Sequence, residues 1–333
     1  MAIQTLELTD FTAFKKATLS LSPGINVFIG ENATGKTHAM KALYVLARAA
    51  LIDESAFPEK LARTFRPDDL ALGRLGHRRQ GLRTARLAIT DDGGVSIGAS
   101  IATNSSKCTL TAAEKWKGPS KAVFVPSREG LASFEGFIAA YSNRELAFDE
   151  TYFDLAVALS QAALRGALPK ALLQIGADFE ATLGGKVVIK GARFYVQGEG
   201  GSMLEAPLLS EGMRKLATVL RLLQNGELRE AGLLCWDEPE ANLNPKLTVV
   251  VADALARLAR NKVQVVLATH DYLLTETLAL RAREDKKLPV RFFSFVRNGA
   301  AVDVTGADEL DALKSNPIRE EFLAHYDRAR AAA

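Results

Sequence analysis

The chain has 333 residues, a net charge of +3, 48% hydrophobic and 24% charged residues, a globular composition with room for one large domain or two modest ones. So small a charge excludes a chain that is basic throughout as a glove for nucleic acid, so such a role would need a local patch. Two cysteines and four histidines without ligand spacing argue against a disulfide framework or a zinc centre, and no apolar run approaches the roughly 18 residues of a bilayer span.

In chain order, Ile3 to Leu8 alternates as a strand, and Thr18 to Leu21 reads as a strand pairing nearby. Gly24 to Ile29 is a short apolar, β-branched run expected to be a buried strand. The segment Gly30-Glu31-Asn32-Ala33-Thr34-Gly35-Lys36-Thr37 follows, and apolar residues at helical spacing predict a helix over 37–52. Residues 53–85 read as irregular and carry Arg63, Arg66, Arg74, Arg78, Arg79 and Arg83. Two strands over 84–102 flank the turn Asp91-Asp92-Gly93-Gly94, and Val123 to Val125 is a short buried strand ended by Pro126. From Leu131 to Leu183 the pattern is helical, with breaks at Gly166 and Pro169. Val187 to Val196 returns to strand with a turn at Gly191, and Gly198 to Gly201 reads as a flexible link. Helix 211–224, strand 233–236, helix 246–260, strand 263–268, helix 271–283 and strand 290–296 then alternate, and the tail to Arg330 reads as a final strand pair and helix. That alternation predicts an α/β fold with a parallel or mixed sheet and crossover helices. With no basic region and apolar core of a signal peptide at the N-terminus, the expected location is cytoplasmic.

The segment 30–37 fits G-x-x-x-x-G-K-[ST] at every fixed position. Strand, glycine-rich loop and helix in that order aim backbone N–H groups and a positive helix end at one point, where a polyphosphate fits. Lys36 then reaches the β- and γ-phosphates and the Thr37 hydroxyl ligates Mg²⁺. The strand Leu233 to Trp236 ends in Asp237 and Glu238. Adjacent residues at a strand end point to opposite sides, so Asp237 can complete the Mg²⁺ shell while Glu238 orients and polarises water as general base. Val263 to Ala268 leads to His270, which lies beyond the carboxyl end of its strand, where open parallel sheets bind ligands. These residues predict a nucleoside-triphosphate site with Lys36, Glu238 and His270 as its catalytic groups.

Here the sequence resembles the ATP-binding-cassette ATPases of the SMC/OLD/RecF-like branch. LELTDFTAFKKATLSLSPGINVFIGENATGKTHAMKALY is similar to the opening of those heads, LLCWDEPEANLNP to their second acidic motif, and VVLATHDYLL to their switch histidine. LLSEGMRKLATVLRLLQNGEL holds the place of their signature helix. The resemblance implies a P-loop fold of ABC-ATPase type with an N-terminal antiparallel β part. Residues 1–130 and 205–333 would form the head and 131–204 a helical insert or lid with a short strand pair. It also implies ATP and Mg²⁺ as cofactors, held by Gly30 through Thr37 with the adjoining His38. In an ATP-sandwich homodimer or higher oligomer, Ser210 and Gly212 would meet the γ-phosphate bound by the other subunit. The chain departs from the family in having Glu211 for a glycine, Met213 for a polar residue, and Pro126-Ser127-Arg128-Glu129 in place of a glutamine. Arg128 is an alternative contact to phosphate or partner. By the same resemblance the chain is expected to regulate a separate effector, a nuclease or toxin of a phage-defence or DNA-repair system. The alternative is the nucleotide-binding subunit of an ABC membrane transporter. The Arg63–Arg86 stretch reads equally as a nucleic-acid surface or as a solvated loop.

Overall fold

A computed structural model of the protein describes residues 1–77, 82–104, 107–112, 115–143, 146–165 and 169–332. Its elements begin with strands β1 (Ile3–Phe11), β2 (Phe14–Ser20) and β3 (Ile25–Ile29), then helices α1 (Lys36–Ala47) and α2 (Phe57–Phe65). Strands β4 (Thr84–Asp91), β5 (Ser96–Ala102), β6 (Cys108–Ala112) and β7 (Ala122–Val125) precede helices α3 (Phe137–Ser142), α4 (Glu150–Ser160) and α5 (Lys170–Leu183). Strands β8 (Lys186–Lys190), β9 (Arg193–Gln197) and β10 (Met203–Glu205) lead to α6 (Glu211–Gln224), β11 (Leu233–Asp237), α7 (Pro245–Arg260) and β12 (Gln264–Thr269). The chain continues through α8 (Tyr272–Glu284), β13 (Val290–Asn298), β14 (Ala301–Ala307) and α9 (Pro317–Ala332).

The central sheet has the order β14-β13-β3-β12-β11-β7. Strands β13, β3, β12, β11 and β7 run parallel, and β14 closes one edge antiparallel. Every residue of β3, β11 and β12 is buried, as expected where helices cover both faces of a sheet. Strand alternation sends Val27, Trp236 and Leu267 into one core with Leu216 and Leu220 of α6 and Leu255 of α7. Phe28, Cys235 and Val266 face the opposite core, shared with Met40 and Leu43 of α1 and the inner residues of an antiparallel sheet ordered β2-β1-β4-β5-β6. Helix α1 is thus enclosed between two sheets, which fixes the loop that precedes it.

Three differences from the sequence reading have physical reasons. The stretch read as irregular contains α2, whose Phe57, Leu61 and Thr64 are buried at i, i+4 and i+7. The interleaved charges of Glu59, Lys60 and Arg63 obscured that short stripe. The expected strand pair near residue 190 is a three-stranded sheet, β10-β9-β8, because the glycines at 198–201 make a turn that returns the chain as β10. Strand β6 was not expected at all; it is short and lies at a sheet edge. Arg78, Arg79 and Gly166 lie outside the described residues. The segment 131–204 shares a core with the sheet, since Phe137, Leu155, Leu172 and Phe179 join the cluster containing Leu216. No described helix is long and apolar enough to cross a membrane.

Candidate nucleotide site

Strand β3 ends at Ile29, and the backbone turns through 30–35 into α1. Gly35 has φ 84°, and a Cβ there would come within 2.9 Å of the Phe14 ring, so both conformation and space call for glycine. The Thr34 hydroxyl donates to the Glu31 carbonyl at 2.8 Å, and Arg297 of β13 donates to the Ala33 carbonyl at 2.6 Å. The Lys36 ammonium folds back over the loop, donating to the carbonyls of Gly30 at 2.7 Å and Glu31 at 2.8 Å. Burial lowers its pKa, partly offset by Asp237, Glu238, Glu240 and Glu31. A phosphate at the loop would favour the charged form.

The parallel register of β3, β12 and β11 brings the ends of these strands together, with Ile29 beside Thr269 and Ala268 beside Asp237. The Thr37 hydroxyl donates to Asp237, 2.9 Å from Oδ2 and 3.1 Å from Oδ1, although the two residues are 200 positions apart. Burial pushes the Asp237 carboxyl up to about 6, against the Thr37 hydrogen bond that lowers it. A buried carboxylate short of positive charge beside a hydroxyl is a hard-oxygen pair suited to Mg²⁺, which takes few protein ligands and fills its octahedron with water and phosphate. Among the described residues no group of three or more His, Cys, Asp or Glu is placed to hold a metal ion.

Glu238 adopts φ 46°, a left-handed conformation uncommon for a non-glycine residue. Its N–H donates to the Ala268 carbonyl at 2.9 Å, and its own carbonyl accepts from the Lys215 ammonium at 2.9 Å. The carboxylate, half-buried, has Oε1 3.5 Å from Nδ1 of the exposed His270. Glu240 is buried and accepts from the Thr269 hydroxyl at 2.6 Å, which joins the loop after β11 to the end of β12.

A cleft of about 640 Å³ is lined by Ala33 through His38 together with Asp237 and Glu238. The structure therefore brings Lys36, Thr37, Asp237 and Glu238 together, with His270 adjoining Glu238. Gly30 and Glu31 support Lys36, Asn32 is exposed, and His38 turns its ring toward Phe65, 5.7 Å between centroids. Ser210 and Gly212 do not line this cleft. Ser210 is exposed and caps α6, accepting from Met213 N–H at 3.4 Å. Gly212 is buried in α6, where a Cβ would come 2.7 Å from the Asn242 carbonyl oxygen. Arg128 is exposed, and its neighbour Glu129 pairs with Arg214 of α6 at 2.6 Å.

Four described arginines of the basic stretch have intramolecular partners: Arg63 with Glu150 at 3.1 Å, Arg66 with the Phe148 carbonyl at 2.8 Å, and Arg74 with Asp68 and Arg83 with Asp10 at 3.6 Å. Arg86 is exposed. Sequence reasoning missed Lys215, Arg297 and Glu240, and also the pair Lys41–Asp149 at 2.8 Å that ties α1 to the start of α4. Glu240 alone carried a signal, three residues after Asp237 in the same acidic run.

A family model described as "AAA domain, putative AbiEii toxin, Type IV TA system" matches residues 120–276, and one described as "AAA ATPase domain" matches residues 1–94. The DNA replication and repair protein RecF of Acidothermus cellulolyticus is 49% identical over 47 residues, 14% of this chain and 13% of that protein. RecF of Streptococcus suis (strain 05ZYH33) is 32% identical over 96 residues, 29% of this chain and 26% of that protein. The matched segments thus span only 13% and 26% of these relatives' lengths. The SMC head bound to the C-winged helix domain of ScpA is similar in fold, with a TM-score of 0.61 at 13% identity, covering 95% of this chain and 100% of that one. The SMC head with an extended coiled coil, bound to the C-terminal domain of ScpA from Pyrococcus furiosus, gives 0.57 at 12% identity, covering 99% of each chain. The two AAA-model matches, the local similarity to RecF and the SMC-head-like fold together support an SMC/RecF-like ABC-type ATPase.

Proposed function

We propose that the chain binds Mg²⁺-ATP at the 30–38 loop and hydrolyses it, with the ATP cycle controlling self-association and a separate effector protein. The observation that carries this reading is the hydrogen bond from Thr37 to Asp237, which joins phosphate loop and acidic strand at one point beside Lys36. Lys36 would exchange its two loop carbonyls for β- and γ-phosphate oxygens. Thr37 and Asp237 would hold Mg²⁺, which would supply positive charge to the triphosphate. Glu238 would align water and take its proton as general base, and His270 would stand beside the γ-phosphate.

Ser210 and the N-terminal N–H groups of α6, Gly212 among them, would complete a second subunit's site, with residues 131–204 as the lid. The description of the matched AAA model supports a nuclease or toxin as effector, and kinship with RecF supports a setting in DNA repair or defence. Nucleic acid would be met through the exposed part of the Arg63–Arg86 stretch. The transporter alternative has less support, because the matched families and folds are of the AAA, RecF and SMC kinds. Calorimetric ATP binding and phosphate release test the reading. Lys36→Ala should weaken ATP binding at least about tenfold, the loss of a charge-assisted contact; undiminished affinity would overturn it.

A further inference from the structure

At the tip of the phosphate loop Ala33 has φ 60°, in the left-handed region that a Cβ disfavours. Glu31, Asn32 and Ala33 are all exposed, so burial does not hold the tip in this shape. A strained turn that faces solvent persists only where neighbouring groups determine it.

Strand β13 supplies such a group. It pairs in parallel with β3 as far as Ser294 beside Ile29, and Phe295 to Arg297 continue past the loop. A Cβ at Gly30 would come 2.4 Å from the Phe295 carbonyl oxygen, so the two backbones pass closely. Further along β13 the Arg297 guanidinium donates to the Ala33 carbonyl at 2.6 Å, from 264 positions away in the chain. The hairpin beneath it is anchored in turn. Arg297 pairs with Val302 of β14, and Val302 N–H donates to the Ala13 carbonyl at 3.0 Å. Lys36 holds the carbonyls of Gly30 and Glu31, so two cations divide three of the loop's carbonyls between them.

We propose that Arg297 is a positioning residue for the phosphate loop. The carbonyl and N–H of one trans peptide point in opposite directions, so holding the Ala33 carbonyl fixes the direction of the Thr34 N–H. Arg297 thereby sets the loop's donors for a polyphosphate before it arrives, and spares binding the cost of ordering them. Its guanidinium stays on the loop when Lys36 leaves its two carbonyls for phosphate oxygens. This role rests on the triphosphate reading of residues 30–37 and adds to it a support contributed by β13.

Arg297 is exposed, and Arg297→Met removes its donors while keeping an unbranched stem. A preordered loop favours any ligand held by its phosphates, so calorimetry compares Mg²⁺-ATP with inorganic tripolyphosphate, which has no base or ribose. Both affinities should fall by the same factor, about 3- to 10-fold for one exposed charge-assisted hydrogen bond, with turnover at saturating ATP retained. Arg297→Lys, which keeps a cationic donor, should recover part of the loss for both ligands. Unchanged affinities, a loss for ATP alone, or a fall in saturated turnover with binding intact would each overturn the positioning role. If Lys36→Ala weakens binding of both ligands, the triphosphate reading stands whatever Arg297 does. Failure of the unmodified protein to bind either ligand overturns the reading and the role together.

Discussion

Asp237 and Glu238 are neighbours under opposite constraints. Asp237 sits inside the sheet end with its carboxyl raised from 3.8 to about 6 by burial, whereas Glu238 is turned out by its left-handed backbone. Between those two pKa values the folded chain keeps a proton that the unfolded chain has lost. The stability contributed at Asp237 therefore falls as pH rises through that window. A shift of about two units corresponds to at most ~3 kcal/mol. Asp237→Asn should stabilise the nucleotide-free protein at about pH 7.5 by ~1–3 kcal/mol, and the gain should shrink toward zero near about pH 4. Urea midpoints at the two pH values read this directly. The same variant should lose the Mg²⁺ dependence of ATP binding, separating the site's function from its cost. A variant no more stable than the parent at the higher pH would mean that the carboxylate is not strained by burial.

Helix α6 shows what an element does that its sequence pattern conceals. Its bounds match the expected helix over 211–224, and the structure shows Leu216, Leu220 and Leu223 buried at helical spacing behind Ser210 as the cap. Lys215 was not legible as a site residue, because a lysine on a helix is ordinarily a solvated face. Here it is 1% exposed and spans from α6 to the carbonyl of Glu238. Burial lowers its pKa, with Glu240, Glu211, Glu238 and Asp237 opposing that shift. The phosphate loop, β11 and β12 were legible for the opposite reason: fixed glycines and continuous apolar runs have few other readings. Helix α2 escaped because four buried positions in nine residues, one of them Ala62 and one Thr64, give too little periodicity against intervening charge. Lys215 also makes α6 a support for Glu238, and Lys215→Met keeps the volume while removing the donor. Turnover should fall about 10- to 100-fold, the cost of a misplaced catalytic group, with ATP affinity retained. Unchanged turnover in a folded variant would reduce Lys215 to a packing role.

At the scale of the whole molecule, an ATP sandwich would bring a second copy of the chain to the nucleotide cleft. Ser210 is exposed at the start of α6 and absent from its own chain's cleft, while Leu208 beside it is 68% exposed and Leu204 43%. Exposed leucines in the segment leading to a capped helix would suit burial against a second copy, with Ser210 delivered to that copy's phosphate. The lid would move with the site, since Lys41 of α1 pairs with Asp149 and Lys60 of α2 with Asp154 of α4 at 2.6 Å. Self-association should then require ATP and accumulate in Glu238→Gln, where a slow proton acceptor leaves the shared phosphate uncleaved. In that background Leu208→Glu should weaken the ATP-dependent dimer about 10- to 100-fold, the worth of one buried leucine, while each monomer binds ATP as before. Light scattering across a concentration series with and without ATP measures both effects. Dimers that form equally without nucleotide, or that tolerate Leu208→Glu, would place the interface on another face and leave Ser210 outside the γ-phosphate site.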